Sequence, residues 1–258
     1  MKKILLAALF VSFASCSSDS DSSTSSEVTP SGLKIKSITE VTYNGGTLDL
    51  TRTGNFVYVG DKLKSIDIIT DNLKMDFLYT GDKISQVNSY FDNDPVVATM
   101  LTYDGTKLIR TANQEEKAEY TYVNGVLKSV TESTYTNNQW EFYEKKEYAF
   151  DQNNVTEIRA SSKYATTVSK SKYIHDDKKN PFSGMNPYLG YLIHFESLHP
   201  LDQNNRLIQQ RYASAASNDI VGTASYQIQY NSEGYPTEIR KVNDANMALL
   251  SKTVITYN

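Results

Sequence analysis

The sequence predicts an all-β fold, an antiparallel meander of repeated β-hairpins forming a strongly twisted or curved sheet, with one short helix near 187–194. Three observations predict it. Tyr58, Tyr79, Tyr103, Tyr122 and Phe150 are each followed five residues later by an aliphatic residue: Leu63, Ile84, Leu108, Leu127 and Val155. Two positions before each aromatic stands another large residue, Phe56, Phe77, Leu101, Tyr120 and Tyr148, and a period of two places both on one strand face. Between aromatic and aliphatic lie the dipeptides Gly60-Asp61, Gly81-Asp82, Gly105-Thr106, Asn124-Gly125 and Gln152-Asn153. Four of these contain a glycine that takes positive φ at little steric cost, the requirement of a two-residue hairpin turn.

Residues 1–15 read as a secretory signal. Lys2 and Lys3 make a basic start, Ile4 to Phe13 is an apolar run too short to span a bilayer, and small residues follow. The segment Phe13-Ala14-Ser15-Cys16 resembles the lipobox of bacterial lipoproteins, which implies acylation of Cys16, although Phe13 stands where Leu, Val or Ile is usual. Cys16 is the one cysteine in the sequence and cannot form an internal disulfide. Residues 16–31 are rich in Ser and Asp and have too little apolar surface to offset the entropy of ordering, so they read as a flexible tether reaching roughly 20 Å. Acids soon after the cysteine resemble the export signal that carries lipoproteins of the Bacteroidota to the outer face of the outer membrane. A single domain, 32–258, follows.

Within that domain Asn44-Gly45-Gly46 marks an opening hairpin, and Asp92-Asn93-Asp94-Pro95 and Asn137-Asn138 are the clearest connections between repeats. Each aliphatic is followed three residues later by another apolar residue, as in Leu63 and Ile66 or Ile84 and Val87. An odd offset means either that both faces are apolar or that a bulge follows each turn, and both readings stay open. Degraded copies are read at Tyr173-Ile174-His175-Asp176-Asp177, Leu201 to Leu207, Ile228 to Gly234 and Ile255 to Asn258, with longer, bulged turns at the second and third. Asn180 to Pro200 interrupts the pattern with three of the six prolines. Asn186-Pro187 suits a helix cap and first turn, which would lay Tyr188, Leu189, Leu192 and Ile193 on the sheet, covering an apolar face or closing an end; a ligand lid is the alternative.

Twenty-six basic side chains against 30 acidic ones give a formal net charge of −4, more acidic once Lys2 and Lys3 leave with the signal. This argues against nucleic acid and against a charge-based hold on anionic lipid, so contact with the membrane is expected through the N-terminal lipid alone. Charged residues throughout the strands argue against a lipid-embedded barrel. His194, Glu196 and His199 form the one cluster of metal-ligand side chains. A five-residue offset sends the two histidines to different faces of either a strand or a helix, so neither metal nor cofactor is assigned. The sequence holds no nucleophile elbow, phosphate loop or zinc-protease helix, and no catalytic residue is named.

The units Tyr120-Thr121-Tyr122-Val123-Asn124-Gly125-Val126-Leu127 and Tyr226 to Ile239 resemble tyrosine-rich repeat lipoproteins of the Bacteroidota, largely of unknown function, as does Lys179-Asn180-Pro181-Phe182. They are also similar to the YD repeats of large bacterial shell-forming toxins, though the Asp after the second aromatic is kept at Asp104 and Asp151 alone among the first five units, and the chain is too short for a shell. The resemblance implies a hairpin fold and a surface address and supplies no active site. The expected function is a non-enzymatic, outer-membrane-anchored, outward-facing binding module for a glycan, peptide or envelope protein. The alternatives are an accessory subunit of a surface complex and, third, a carboxylate-based hydrolase.

Overall fold

The computed structural model describes residues 33–258 apart from 93 and 194. The signal, Cys16 and the tether therefore lie outside the described residues. Sixteen strands are described: β1 (Ile35–Asn44), β2 (Thr47–Val59), β3 (Lys62–Ile68), β4 (Leu73–Thr80), β5 (Lys83–Phe91), β6 (Val97–Asp104), β7 (Lys107–Ala112), β8 (Glu116–Val123), β9 (Val126–Thr136), β10 (Gln139–Asp151), β11 (Asn154–Ser162), β12 (Ser169–Lys179), β13 (Asn204–Tyr212), β14 (Ile220–Tyr230), β15 (Pro236–Asn243) and β16 (Ala248–Tyr257). Each pairs antiparallel with its neighbours in sequence, and β1 pairs with β16, so the meander closes into a barrel with no free edge.

The bulge reading is the correct one. Tyr58 faces Leu63 and Phe56 faces Ile66, two residues of β2 against three of β3, with the register shift directly after the turn. The same shift occurs at Tyr79, Tyr103, Tyr122 and Phe150. One extra residue per hairpin returns the second aliphatic to the inner face, which is why an odd sequence offset yields a one-sided apolar strand. The turn without glycine forms equally well, with Gln152 and Asn153 at φ 48° and 65°.

The barrel seam repeats this unit across the chain ends. Tyr257 faces Ile35 and Ile255 faces Ile38, again with a three-residue step on one strand against two on the other. Tyr257 and Ile255 thus find their aliphatic partners at the beginning of the domain. Lysines bind successive units together on this rim. Lys62 Nζ lies 5.3 Å from the ring centroid of Tyr79, in the next unit, 2.6 Å from the Gly81 carbonyl oxygen and 2.9 Å from Asp82. Lys34 relates in the same way to Tyr58, Gly60 and Asp61, and Lys83 to Tyr103 and Gly105. In return the Tyr79 hydroxyl donates to the Leu63 carbonyl and that of Tyr122 to the Leu108 carbonyl, each at 3.0 Å.

Two of the degraded copies are not hairpins. Tyr173 to Asp177 runs inside β12, and Leu201 precedes β13 as the end of the long connection from β12. Local resemblance misplaced both turns, because the hydrogen-bond partners that keep β12 extended past Asp176 come from β13, beyond the insertion. The copy at Ile228 to Gly234 is correct: a loop of Asn231 to Tyr235, closed by the Asn231 side chain on two backbone N–H groups, precedes β15 with a register shift at Tyr230.

The insertion fills the lumen. Its helix α1 (Pro187–Ile193) is capped by Asn186, whose Oδ1 accepts the Tyr188 N–H at 2.9 Å. Phe182, Met185, Tyr188, Leu189, Ile193, Phe195 and Leu198 are buried in one cluster with inward residues such as Ile38, Phe56, Ile66, Phe77, Leu101 and Ile239. Contacts reach strands around the whole wall: Asn186 to Tyr103 (2.9 Å), Tyr191 to Glu116 (3.1 Å), the Glu196 N–H to Glu40 (3.0 Å), and Glu196 to Lys241. Gly54 on β2 lies so close to the Phe195 ring that a Cβ there would sit 3.2 Å from it. A covered face or closed end is therefore too weak a description; the segment is an internal plug.

The outer wall mixes ion pairs with exposed apolar side chains such as Val57, Leu78, Met100, Ile109 and Ile174. Lys145 and Glu147 pair at 2.9 Å, Arg159 and Glu157 at 2.6 Å, Arg240 and Glu238 at 2.7 Å, and Lys252 bridges to Glu238 at 2.9 Å. A basic side chain facing hydrocarbon costs about 2–4 kcal/mol near a bilayer midplane.

Candidate binding cleft in the barrel lumen

Counting back by twos from the core aromatics shows where the interior turns polar. Tyr120 and Val130 face inward, so Glu116 and Ala118 on β8 and Glu132 on β9 do too. Lys146 and Glu144 on β10 stand opposite Val130 and Glu132 and share that face. At the end of the lumen away from the repeat turns Gly60-Asp61, Gly81-Asp82, Gly105-Thr106, Asn124-Gly125 and Gln152-Asn153, these residues line a cavity of about 400 Å³ with Thr99, Thr111 and Asn113, Tyr143 at its rim, and Tyr188 and Tyr191 of α1 as the opposite wall.

Lys146 organises its charge. Its Nζ lies 2.7 Å from Glu144 Oε2 and 3.5 Å from Glu132 Oε1. Burial opposes the ammonium, but the two carboxylates hold its pKa above the ordinary lysine value. Burial raises the pKa of Glu132, with Lys146 acting against it and Glu144 and Glu116 adding to it. Tyr188 and Tyr191 stack with centroids 5.9 Å apart and planes at 18°. Burial lifts the Tyr188 phenol to about 12 and, with Glu116 alongside, raises that of Tyr191 as well. Both phenols therefore stay neutral donors. The cleft offers carboxylate acceptors, hydroxyl donors, the cations of Lys146 and Lys117 and three tyrosine rings, a set suited to a hydroxyl-rich ligand.

A second polar cluster anchors the plug. Asp202 is fully buried; its Oδ1 accepts the Val155 N–H at 2.8 Å and lies 3.4 Å from His175 Nε2, while its Oδ2 accepts from Arg206 Nε at 2.7 Å. Burial disfavours its charge, yet His175, Arg206, His199 and the Val155 amide together bring it down to about 2. Arg206 lies 3.8 Å over the Tyr173 ring, and Asn180 donates to the carbonyls of His199 and Asp202, both at 2.8 Å.

Of the residues singled out from sequence, Glu196 pairs with Lys241 and His199 lies by the Asp202 cluster, whereas His194 falls outside the described residues. Among the described residues no group of three His, Cys, Asp or Glu side chains could hold a metal ion. The tyrosine row Tyr58, Tyr79, Tyr103 and Tyr122 is neither a solvent strip nor fully buried: it is partly buried and packed on the core. The carboxylates of the cleft escaped the sequence reading. Their signal was present, since each lies an even number of residues from a core aromatic or aliphatic.

No protein-family model and no curated protein matches this chain. Among solved structures it is similar to a porin-like protein from Bacteroides uniformis ATCC 8492, at 12% identity, covering 87% of this chain and 98% of that one with a TM-score of 0.56. A porin-like protein from Bacteroides vulgatus ATCC 8482 matches at 14% identity over 88% of this chain and 99% of that one, TM-score 0.46. At such identities the first of these likenesses speaks for the fold alone, an up-and-down closed antiparallel barrel, here with a plugged lumen.

Proposed function

We propose that this chain is a lipid-anchored outer-membrane protein, tethered at Cys16 and facing the exterior, that binds a hydroxyl-rich ligand such as a glycan in the cleft between α1 and β6–β10. The observation that carries the reading is the convergence of Tyr188 and Tyr191 with Glu116, Glu132, Glu144 and Lys146 around one open cavity in the barrel lumen. Stacked rings give a sugar an apolar platform, and carboxylates accept its hydroxyl protons. The ion pairs on the outer wall favour a barrel held at the surface by its anchor over one inserted in the bilayer. A carboxylate hydrolase is the weaker reading, because Glu132 and Glu144 share the Lys146 ammonium and act as its counter-ions. The test is a screen of envelope and dietary glycans against the full chain carrying Cys16→Ser, beside co-purification from intact cells. A saturable glycan abolished by Tyr191→Ala supports the reading. A blank panel with one stoichiometric protein partner makes the chain an accessory subunit instead.

A further inference from the structure

The cleft does not end at the plug. A second cavity, of about 300 Å³, shares Ala118, Glu132, Lys146, Gly190 and Tyr191 with the first and continues inward along Tyr120, Val130, Tyr148 and Ile158. A third, of about 380 Å³, shares Leu127, Pro187, Pro200 and Leu201 with the second and opens at the turn rim beside Tyr103, Phe150 and Met185. Polarity changes along this series. The first cavity holds Glu116, Glu132, Glu144 and Lys146. The second keeps Glu132 and Lys146 at the end it shares with the first and has Arg206, already engaged by Asp202, elsewhere in its wall. The third has Lys107 as its one charged lining residue, with its ammonium over the Tyr122 ring.

We infer that the three cavities form one passage beside the plug, and that its occupant is a single-chain amphiphile with a hydroxyl-rich head. The head sits among the carboxylates and tyrosines of the cleft, and the alkyl chain runs past Ala118 and Leu127 toward Leu201 and Phe150. A free sugar would leave the two inner cavities without apolar contact, and a simple hydrocarbon would leave the Glu132–Lys146–Glu144 charges facing it. An amphiphile matches both halves of the gradient. The inference rests on the reading of the cleft as a ligand site and adds the tail.

The test uses the full chain with Cys16→Ser, free of its own lipid, titrated calorimetrically with maltose and with octyl, decyl and dodecyl maltoside below their micelle concentrations. Affinity should rise about threefold to fourfold per added methylene until the passage is full, as expected for burial of each group, with an increasingly negative heat-capacity change. Leu127→Trp, which narrows the junction of the second and third cavities and lines no part of the first, should leave the weak binding of the head intact and cut short the dependence on chain length. Leu201→Trp blocks the junction from the other side and should shorten the chain at which affinity levels off; thermal unfolding checks that both variants fold. Maltosides that bind no better than maltose, or a chain-length dependence untouched in both folded variants, would overturn the passage while leaving the cleft's glycan reading standing. Glycan binding that survives Tyr191→Ala would overturn the cleft reading itself.

Discussion

Two of the clusters that place charge inside this barrel, around Asp202 and around Lys146, are built to opposite specifications. Around Asp202 each carboxylate oxygen has a partner, the guanidinium of Arg206 is also stacked on Tyr173, and the acid stays ionised to about pH 2. Around Lys146 two carboxylates share one ammonium, Glu132 is pushed up in pKa, and the groups face a cavity. A saturated buried charge fixes geometry, and here it ties the plug to β11 and β13. Charges with coordination left over are poised to take a ligand's hydrogen bonds.

The largest effect that separates the two should come from Asp202→Ala. It leaves Arg206 without its counter-ion in the interior, and urea unfolding should record a loss of about 3–5 kcal/mol. Acid should reproduce part of this. Because the folded pKa of Asp202 lies below its ordinary value of 3.8, its contribution is complete above that value and is lost as pH falls through about 2. The stability gap between the native chain and Asp202→Asn should therefore shrink by about 2 kcal/mol between pH 6 and pH 2. Glu132 carries the opposite sign. Its raised folded pKa means that it destabilises increasingly as pH rises from its ordinary 4.5 through the folded value. Glu132→Gln should thus change stability by less than about 1 kcal/mol, in the stabilising direction near pH 7, while weakening glycan binding in the screen above. Smallest is the rim: Lys62→Met removes a cation held over Tyr79 and should cost about 0.5–1 kcal/mol. If Asp202→Asn and Glu132→Gln show pH dependences of the same sign, the contrast between anchor and cleft is lost.

Part of the fold was legible because hairpins are local. The five-residue step from Tyr79 to Ile84, with Gly81 between, carries strand, face and turn within a dozen residues, and the structure pairs those two residues across the hairpin. The bulge was half legible: the odd step from Ile84 to Val87 demanded either two apolar faces or an extra residue, and only the partner strand could choose. The misread turns at Asp176 and Gln203 show the limit of local pattern, since β12 is held extended by a strand some thirty residues on. Lysines of the rim, such as Lys62, stood in plain view as part of the turn motif, but their target is the ring of the following unit, a neighbour across the sheet.

The sequence by itself determined the strands and turns of the first five hairpin units, because each depends on residues close along the chain. Tertiary structure decided the rest. Closure matches Tyr257 and Ile255 to Ile35 and Ile38 from the far end of the domain, and whether a curved meander meets itself depends on twist summed over every strand. The plug entered the lumen because a closed wall of sixteen strands leaves space that the wall's own side chains do not fill, and Phe182, Tyr188, Ile193 and Phe195 fill it. The cleft exists where that filling stops, between α1 and three strands whose charged residues no short stretch of sequence brings together.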